Sequence, residues 1–293
     1  MSSAGEVRFG ARLAAAMADH GPLCVGIDPS AALLASWGLP DDASGLRTFA
    51  LTVAEALVGR VAALKPQSAF FERHGSAGIA VLEEVLATVR GSDGGTQVIL
   101  DAKRGDIGST MDAYAQAYLR DGAPLACDAL TVSPYLGFGS LEPALRTAEE
   151  TGRGLFVLAL TSNPEGAQVQ HATADGSSVA GLIAREAATR NARELAGSQG
   201  VEGLGSVGLV VGATIGDAAQ RLGVDLAAVR GPLLAPGVGA QGGRPEDLER
   251  VFGAARRTVL ASASREVLTA GPGTADLRSA ARRLGDAVAA AVR

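Results

Sequence analysis

The segment VILDAKRGDIGST, Val98 to Thr110, places Asp101, Lys103, Arg104 and Asp106 directly after an apolar run. Residues two apart share a face of an extended chain, so Asp101 and Lys103 are expected to point the same way. An ammonium held between carboxylates keeps its charge where burial alone would remove it. Such a group can stabilise a developing anion and then hand it a proton. The use of lysine sharpens this reading. Of twenty-six basic residues only Lys65 and Lys103 are lysines, the rest being arginine. Each follows an apolar run, where a strand would end. A compact, titratable ammonium is the property that a guanidinium cannot replace in proton transfer.

Other polar residues gather at equivalent places. Asp28 ends the run LCVGID, and Ser162 and Asn163 follow LFVLALT. The stretch APGVGAQGG carries Pro236, Gly237, Gln241, Gly242 and Gly243, and Arg265 follows the last apolar run. Glycine permits close backbone approach to an anion, and arginine grips phosphate through paired hydrogen bonds, so this pair of segments predicts a phosphate site. The histidines, His20, His74 and His171, are scattered and form no HExxH pattern, so no metal site is expected. No GxGxxG follows the first apolar run, which argues against a dinucleotide cofactor.

Positioning these groups requires a scaffold that brings the ends of several strands together. Eight apolar runs, LCVGID, VAALK, QVILDAK, ALTVS, LFVLALT, GLVVGAT, PLLAPG and TVLASAS, alternate with Ala-rich amphipathic stretches. Continuous apolar character suits parallel strands covered on both faces, and eight such repeats predict a (β/α)8 TIM barrel of class α/β. Residues 1–293 are read as one barrel domain with an extra N-terminal helix, since no Pro/Gly/Ser-rich linker divides them. In such barrels chemistry sits on the loops after the strands, and phosphate after strands seven and eight. The stretch TSNPEGAQVQHATADGSS after the fifth strand is expected to act as a lid. In the last segment Leu277, Ala281, Leu284 and Val288 form a helical stripe, with Thr274 as its N-cap.

Composition narrows the partners. The chain has 293 residues, 47% hydrophobic, enough for one large core. A net charge of −5 provides no footprint for nucleic acid. No apolar run approaches a membrane span, and charges interrupt the N-terminal stretch where a signal peptide would be apolar. Two cysteines, Cys24 and Cys127, read as buried thiols, which suits a cytoplasmic location.

The segments LDAKRGDIGST, GIDPS, LKPQSAFFERHG, SPYLGFGSLEP, LTSNPEG and LAPGVGAQGG together resemble the orotidine 5'-phosphate decarboxylase family, in its smaller, mycobacterial-type branch. The resemblance runs from about Leu23 to Arg265 and implies conversion of orotidine 5'-phosphate (OMP) to UMP and CO2 in pyrimidine biosynthesis, without a cofactor. It implies Lys103 as proton donor, flanked by Asp101 and Asp106, with Lys65 completing an alternating charge array. It further implies a homodimer in which Asp106, Ile107 and Thr110 reach into the partner's site. Asp28 would hold a ribose hydroxyl, Ser162 or Asn163 the pyrimidine edge, and Gln241 and Arg265 the phosphate. SASREV departs from the Gly-Arg-Ser ending of the more common branch.

Competing readings are a Mg-dependent sugar-phosphate decarboxylase or hexulose-phosphate synthase on the same barrel, a Schiff-base aldolase, and a non-catalytic binder of phosphate ligands. An aldolase needs a neutral lysine, which flanking carboxylates oppose.

Overall fold

The computed structural model describes residues 7–196, 203–239 and 242–293. Each of the eight apolar runs forms a strand. They are β1 (Leu23–Ile27), β2 (Ala63–Pro66), β3 (Gln97–Arg104), β4 (Ala129–Val132), β5 (Gly154–Leu160), β6 (Val207–Val211), β7 (Leu233–Pro236) and β8 (Val259–Ala263). All neighbours pair in parallel, and β8 pairs with β1 to close the barrel. The predicted (β/α)8 architecture is therefore present.

Helices cover the outside because their apolar residues recur at helical spacing. Gly75–Arg90 buries Gly78, Val81, Leu82, Val85, Leu86 and Val89, a stripe three to four residues apart that faces the strands. Ala43–Leu57 begins where the Asp42 carboxylate accepts the amides of Ser44 and Gly45. In the final helix, Thr274–Val292, Leu277, Ala281 and Val288 are buried and Leu284 is half-buried. Thr274 is not the cap: Gly273 holds that position, and Thr274 is the first helical residue.

Alternation along the strands separates two cores. Val25, Leu64, Leu100 and Leu130 pack outward against the helices. Cys24, Ala63, Ile99, Ala129, Phe156, Val210, Leu234 and Leu260 fill the barrel interior. The N-terminal helix, Phe9–His20, plugs that interior from below with Phe9 and Leu13. Phe9 meets Phe156 edge to face at 6.0 Å between ring centroids. Gly154 makes room for it: a methyl group there would lie 2.1 Å from Cδ1 of Phe9. Arg12 fastens the plug, pairing with Asp128 at 3.0 Å and donating to the carbonyl of Gly152 at 2.9 Å.

The long segment after β5 folds into short elements of its own. It contains a 3-10 turn at Pro164–Gly166, a helical turn at Ala167–Gln170 and a hairpin pairing Thr173–Ala174 with Ser177–Ser178.

Candidate active site

Following the inward face of each strand upward leads from the apolar plug to a charged layer. Asp28, one residue past β1, follows Gly26, Lys65 follows Ala63 in β2, and Asp101 follows Ile99 in β3. Gly26 lies beside Lys65 in the β1–β2 register. A methyl group on it would stand 2.0 Å from Oγ of Ser264, so glycine is required for the walls to close at this height.

Asp101 is the centre of the layer. Its Oδ2 accepts from Lys65 Nζ at 2.9 Å, and its Oδ1 accepts from Lys103 Nζ at 2.6 Å and from the Thr131 hydroxyl at 2.9 Å. The side chains of Lys65 and Asp101 are 7% and 10% exposed, whereas that of Lys103 is 46% exposed. One ammonium is thus structural and enclosed, and the other faces the opening. Burial works against both charges of the inner pair. For Lys65 the attractions of Asp101 and Asp28 overcome it and raise its pKa above the ordinary lysine range. For Asp101 the two lysines overcome it and hold the carboxyl well below the usual carboxylate range.

Lys103 does not continue β3 as a regular extended residue. Its φ is 47°, in the left-handed region, and the β3–β4 register shifts between Leu100 and Arg104. The Lys103 amide is bonded by the Thr131 hydroxyl at 2.9 Å instead of by a ladder carbonyl. Thr131 therefore receives from the Lys103 backbone and donates to the Asp101 carboxylate, fixing both at once. Gly105 allows the chain to pass close by, since a methyl group there would lie 2.5 Å from the Ser133 carbonyl oxygen. Below the charges, burial pushes the Cys24 thiol up to about 12, against the pull of Lys65. It is an inert packing group.

A cavity of about 460 Å³ opens above this layer, within the usual size of small-ligand sites. Asp28, Lys65, Asp101, Lys103, Ser162, Asn163, Pro236, Gly237 and Arg265 all line it. The Oδ1 atom of Asp28 is buried there with no hydrogen-bond partner among the described residues. An acceptor so placed is unusual in a finished interior and matches a ligand donor. Arg265 is exposed at the start of the turn Arg265–Leu268 and makes no ion pair among the described residues.

Several of the expected site residues lie outside this cavity or outside the described residues. Gly242 and Gly243 do not line the cavity. Gly243 donates its amide to the Gly237 carbonyl at 3.0 Å, Gly242 to Gly239 at 2.8 Å and Gly239 to Gly243 at 2.7 Å. These amides close a tight turn rather than remaining available to an anion. The glycines are needed for shape, with φ of 102° at Gly237, 85° at Gly239 and 90° at Gly242. Gln241 lies outside the described residues. Asp106, Ile107 and Thr110 also stand off the cavity: Asp106 turns back to accept the Ile107 amide at 2.8 Å, and Ile107 and Thr110 are exposed.

The sequence reading missed Thr131 and Gln67. The Gln67 side chain lines the cavity and donates to the Asp101 carbonyl at 3.3 Å. Thr131 sits two residues beyond inward-facing Ala129, a position that strand alternation marks.

Comparison with known proteins agrees with the geometry. The model of the orotidine 5'-phosphate decarboxylase / HUMPS family matches residues 21–280. An orotidine 5'-phosphate decarboxylase of Streptomyces coelicolor is 58% identical over 286 residues, covering 97% of this chain and 98% of its own. That of Salinispora arenicola is 59% identical over 277 residues, covering 94% and 95%. A crystal structure from Streptomyces avermitilis, 57% identical, superposes with a TM-score of 0.90 over 98% of this chain and 96% of that one. The OMP decarboxylase of Leishmania donovani, 32% identical, superposes with a TM-score of 0.75 over 98% and 99%. With a family match over most of its length and relatives this similar end to end, the chain belongs to the orotidine 5'-phosphate decarboxylase / HUMPS family.

Proposed function

We propose that this chain is an orotidine 5'-phosphate decarboxylase, a carboxy-lyase converting OMP to UMP and CO2 in pyrimidine biosynthesis. The observation that carries this reading is the Lys65–Asp101–Lys103 array at the floor of a cavity with Arg265 at its rim. The reaction breaks the bond from C6 of the pyrimidine to its carboxylate, and the electron pair stays on C6 in the ring plane. Ring carbonyls do not delocalise an in-plane pair, so the charge has to be met electrostatically. The Lys103 ammonium meets it and then transfers a proton from Nζ to C6, and solvent restores that proton. An ammonium and an anion about 4 Å apart attract by about 4 kcal/mol at an effective dielectric near 20.

The other residues divide the substrate between them. Asp28 accepts a ribose hydroxyl through its unpartnered oxygen, and Ser162 or Asn163 contacts the pyrimidine edge. Arg265 holds the phosphate beside Pro236 and Gly237, Gln241 is assigned to the same anion, and Gly242 and Gly243 shape the turn that follows Gly237. Asp101, beside the departing carboxylate, orders the two lysines. No cofactor enters this scheme.

We further propose a homodimer, located in the cytoplasm, in which Asp106, Ile107 and Thr110 complete the partner's site. Their position off the chain's own cavity supports this, as do exposed apolar side chains nearby: Ile107 is 61%, Tyr135 75% and Leu136 54% exposed. Residues 1–293 act as one barrel domain in this scheme.

The deciding experiment is turnover. Purified protein in EDTA should deplete the orotate chromophore of OMP and form UMP; absence of conversion refutes the assignment. Activity that needs added Mg²⁺ and a hexulose phosphate instead would favour the synthase reading. For the shared site, Lys103→Ala and Asp106→Ala are each expected to be inactive alone. Mixed and refolded together, they should recover about a quarter of wild-type activity, because half the dimers are mixed and each carries one intact site.

A further inference from the structure

The opposite end of the barrel carries a second cavity, of about 960 Å³, lined by segments that lead into β1, β2, β6 and β8 and by the final helix. Arg60 lies just before β2, Arg257 just before β8, and Arg278 and Arg282 on the helix Thr274–Val292; Arg293 adds a fifth guanidinium. Ten other arginines of the chain form ion pairs with carboxylates. None of these five does so among the described residues. The carboxylates of Asp19 and Asp286 and the α-carboxylate of Arg293 oppose them, three negative groups against five guanidinium groups.

A positive cleft on a chain of net charge −5 requires explanation. Stabilising the carbonyl end of the helix Ala43–Leu57 accounts for one member, since Arg278 Nε donates to the Ala56 carbonyl at 3.0 Å. It does not account for Arg60, Arg257 or Arg282. Arg278 and Arg282 stand one helical turn apart on the same face, and both line the cleft. Ala14, Met17 and Ala18 supply an apolar wall beside them.

We propose that this lower cleft binds a polyphosphate anion, a chain of two or more phosphate groups, at a site separate from the decarboxylase cavity. Guanidinium groups converging from three segments suit phosphate oxygens through paired, charge-assisted hydrogen bonds. The chain can come from inorganic polyphosphate or from a nucleoside triphosphate, the apolar wall then taking the base. Binding at this end does not depend on the reading of the upper site.

The test is calorimetric titration with sodium tripolyphosphate, at low and at 0.15 M ionic strength. Wild type and Arg265→Ala should bind alike, with affinity falling as salt rises. The double variant Arg257→Gln/Arg282→Gln should weaken binding about tenfold or more; both side chains are exposed, so the fold is expected to survive, as thermal denaturation would verify. Should it not fold, Arg60→Gln, on another segment, is expected to weaken binding in the same direction. Lack of saturable binding by wild type, or binding lost in Arg265→Ala but retained in the lower-cleft variants, overturns the proposal. Titration with ATP separates the sources: tighter binding than tripolyphosphate assigns a nucleotide, and equal or weaker binding assigns the phosphate chain alone.

Discussion

Lys65 and Lys103 share one carboxylate, yet their surroundings assign them different tasks. Lys65 is enclosed and cannot leave Asp101 without stranding a buried charge, while Lys103 has an open side from which a proton can leave. Lys103→Ala is expected to abolish turnover while UMP binding remains measurable; a near-normal rate in that variant would refute the donor role. Arg265→Ala should raise KM for OMP by an order of magnitude or more, as one phosphate-binding charge is lost. Thr131→Val keeps the shape but removes the hydroxyl between Asp101 and the Lys103 amide, leaving buried groups unmatched at about 1–3 kcal/mol. Its kcat should fall more than its KM rises, the mark of a positioning residue. Asp101 has a depressed folded pKa, so its contribution to stability is complete above the unfolded value near 3.9 and is lost as pH falls below it. Lys65 is raised, so its contribution is complete below about 10.4 and is lost as pH climbs further. Denaturation midpoints measured from pH 3 to 11 should therefore decline at both ends of that range. Flat behaviour below pH 4 would contradict the Asp101 shift.

At the scale of the element, what could be foreseen followed from alternation along strands. Continuous apolar runs place Asp28, Lys65 and Asp101 at strand ends, and a period of two sets Asp101 and Lys103 on one face. The same rule marks Thr131, but a hydroxyl carries no charge signature to set it apart from an ordinary strand residue. The bulge that turns Lys103 to positive φ was hidden for a different reason: it depends on Thr131 reaching across from β4, a contact between distant segments. The glycine-rich turn was legible as a turn, but whether its amides face an anion or one another is decided only by its closed geometry. Gly26→Ala tests the fit of elements at the charged layer. Its new methyl group would overlap Ser264 Oγ, and the variant should lose about 1–3 kcal/mol of stability by chemical denaturation.

Across the whole molecule, the two ends of the barrel are built for opposite purposes. Strand ends carry charge above an open cavity, and the N-terminal helix seals the base with Phe9 and Leu13. Cys24 and Cys127 are buried on this frame, and both thiols are pushed up to about 12, chiefly by desolvation. Iodoacetamide at neutral pH should leave both unlabelled in the native protein and modify both after unfolding. The corked base also makes the barrel a cul-de-sac. Reactant and nucleotide product must use one doorway in turn, so inhibition by UMP should be competitive toward OMP, and the small neutral gas has to slip out past a nucleotide still anchored by its phosphate.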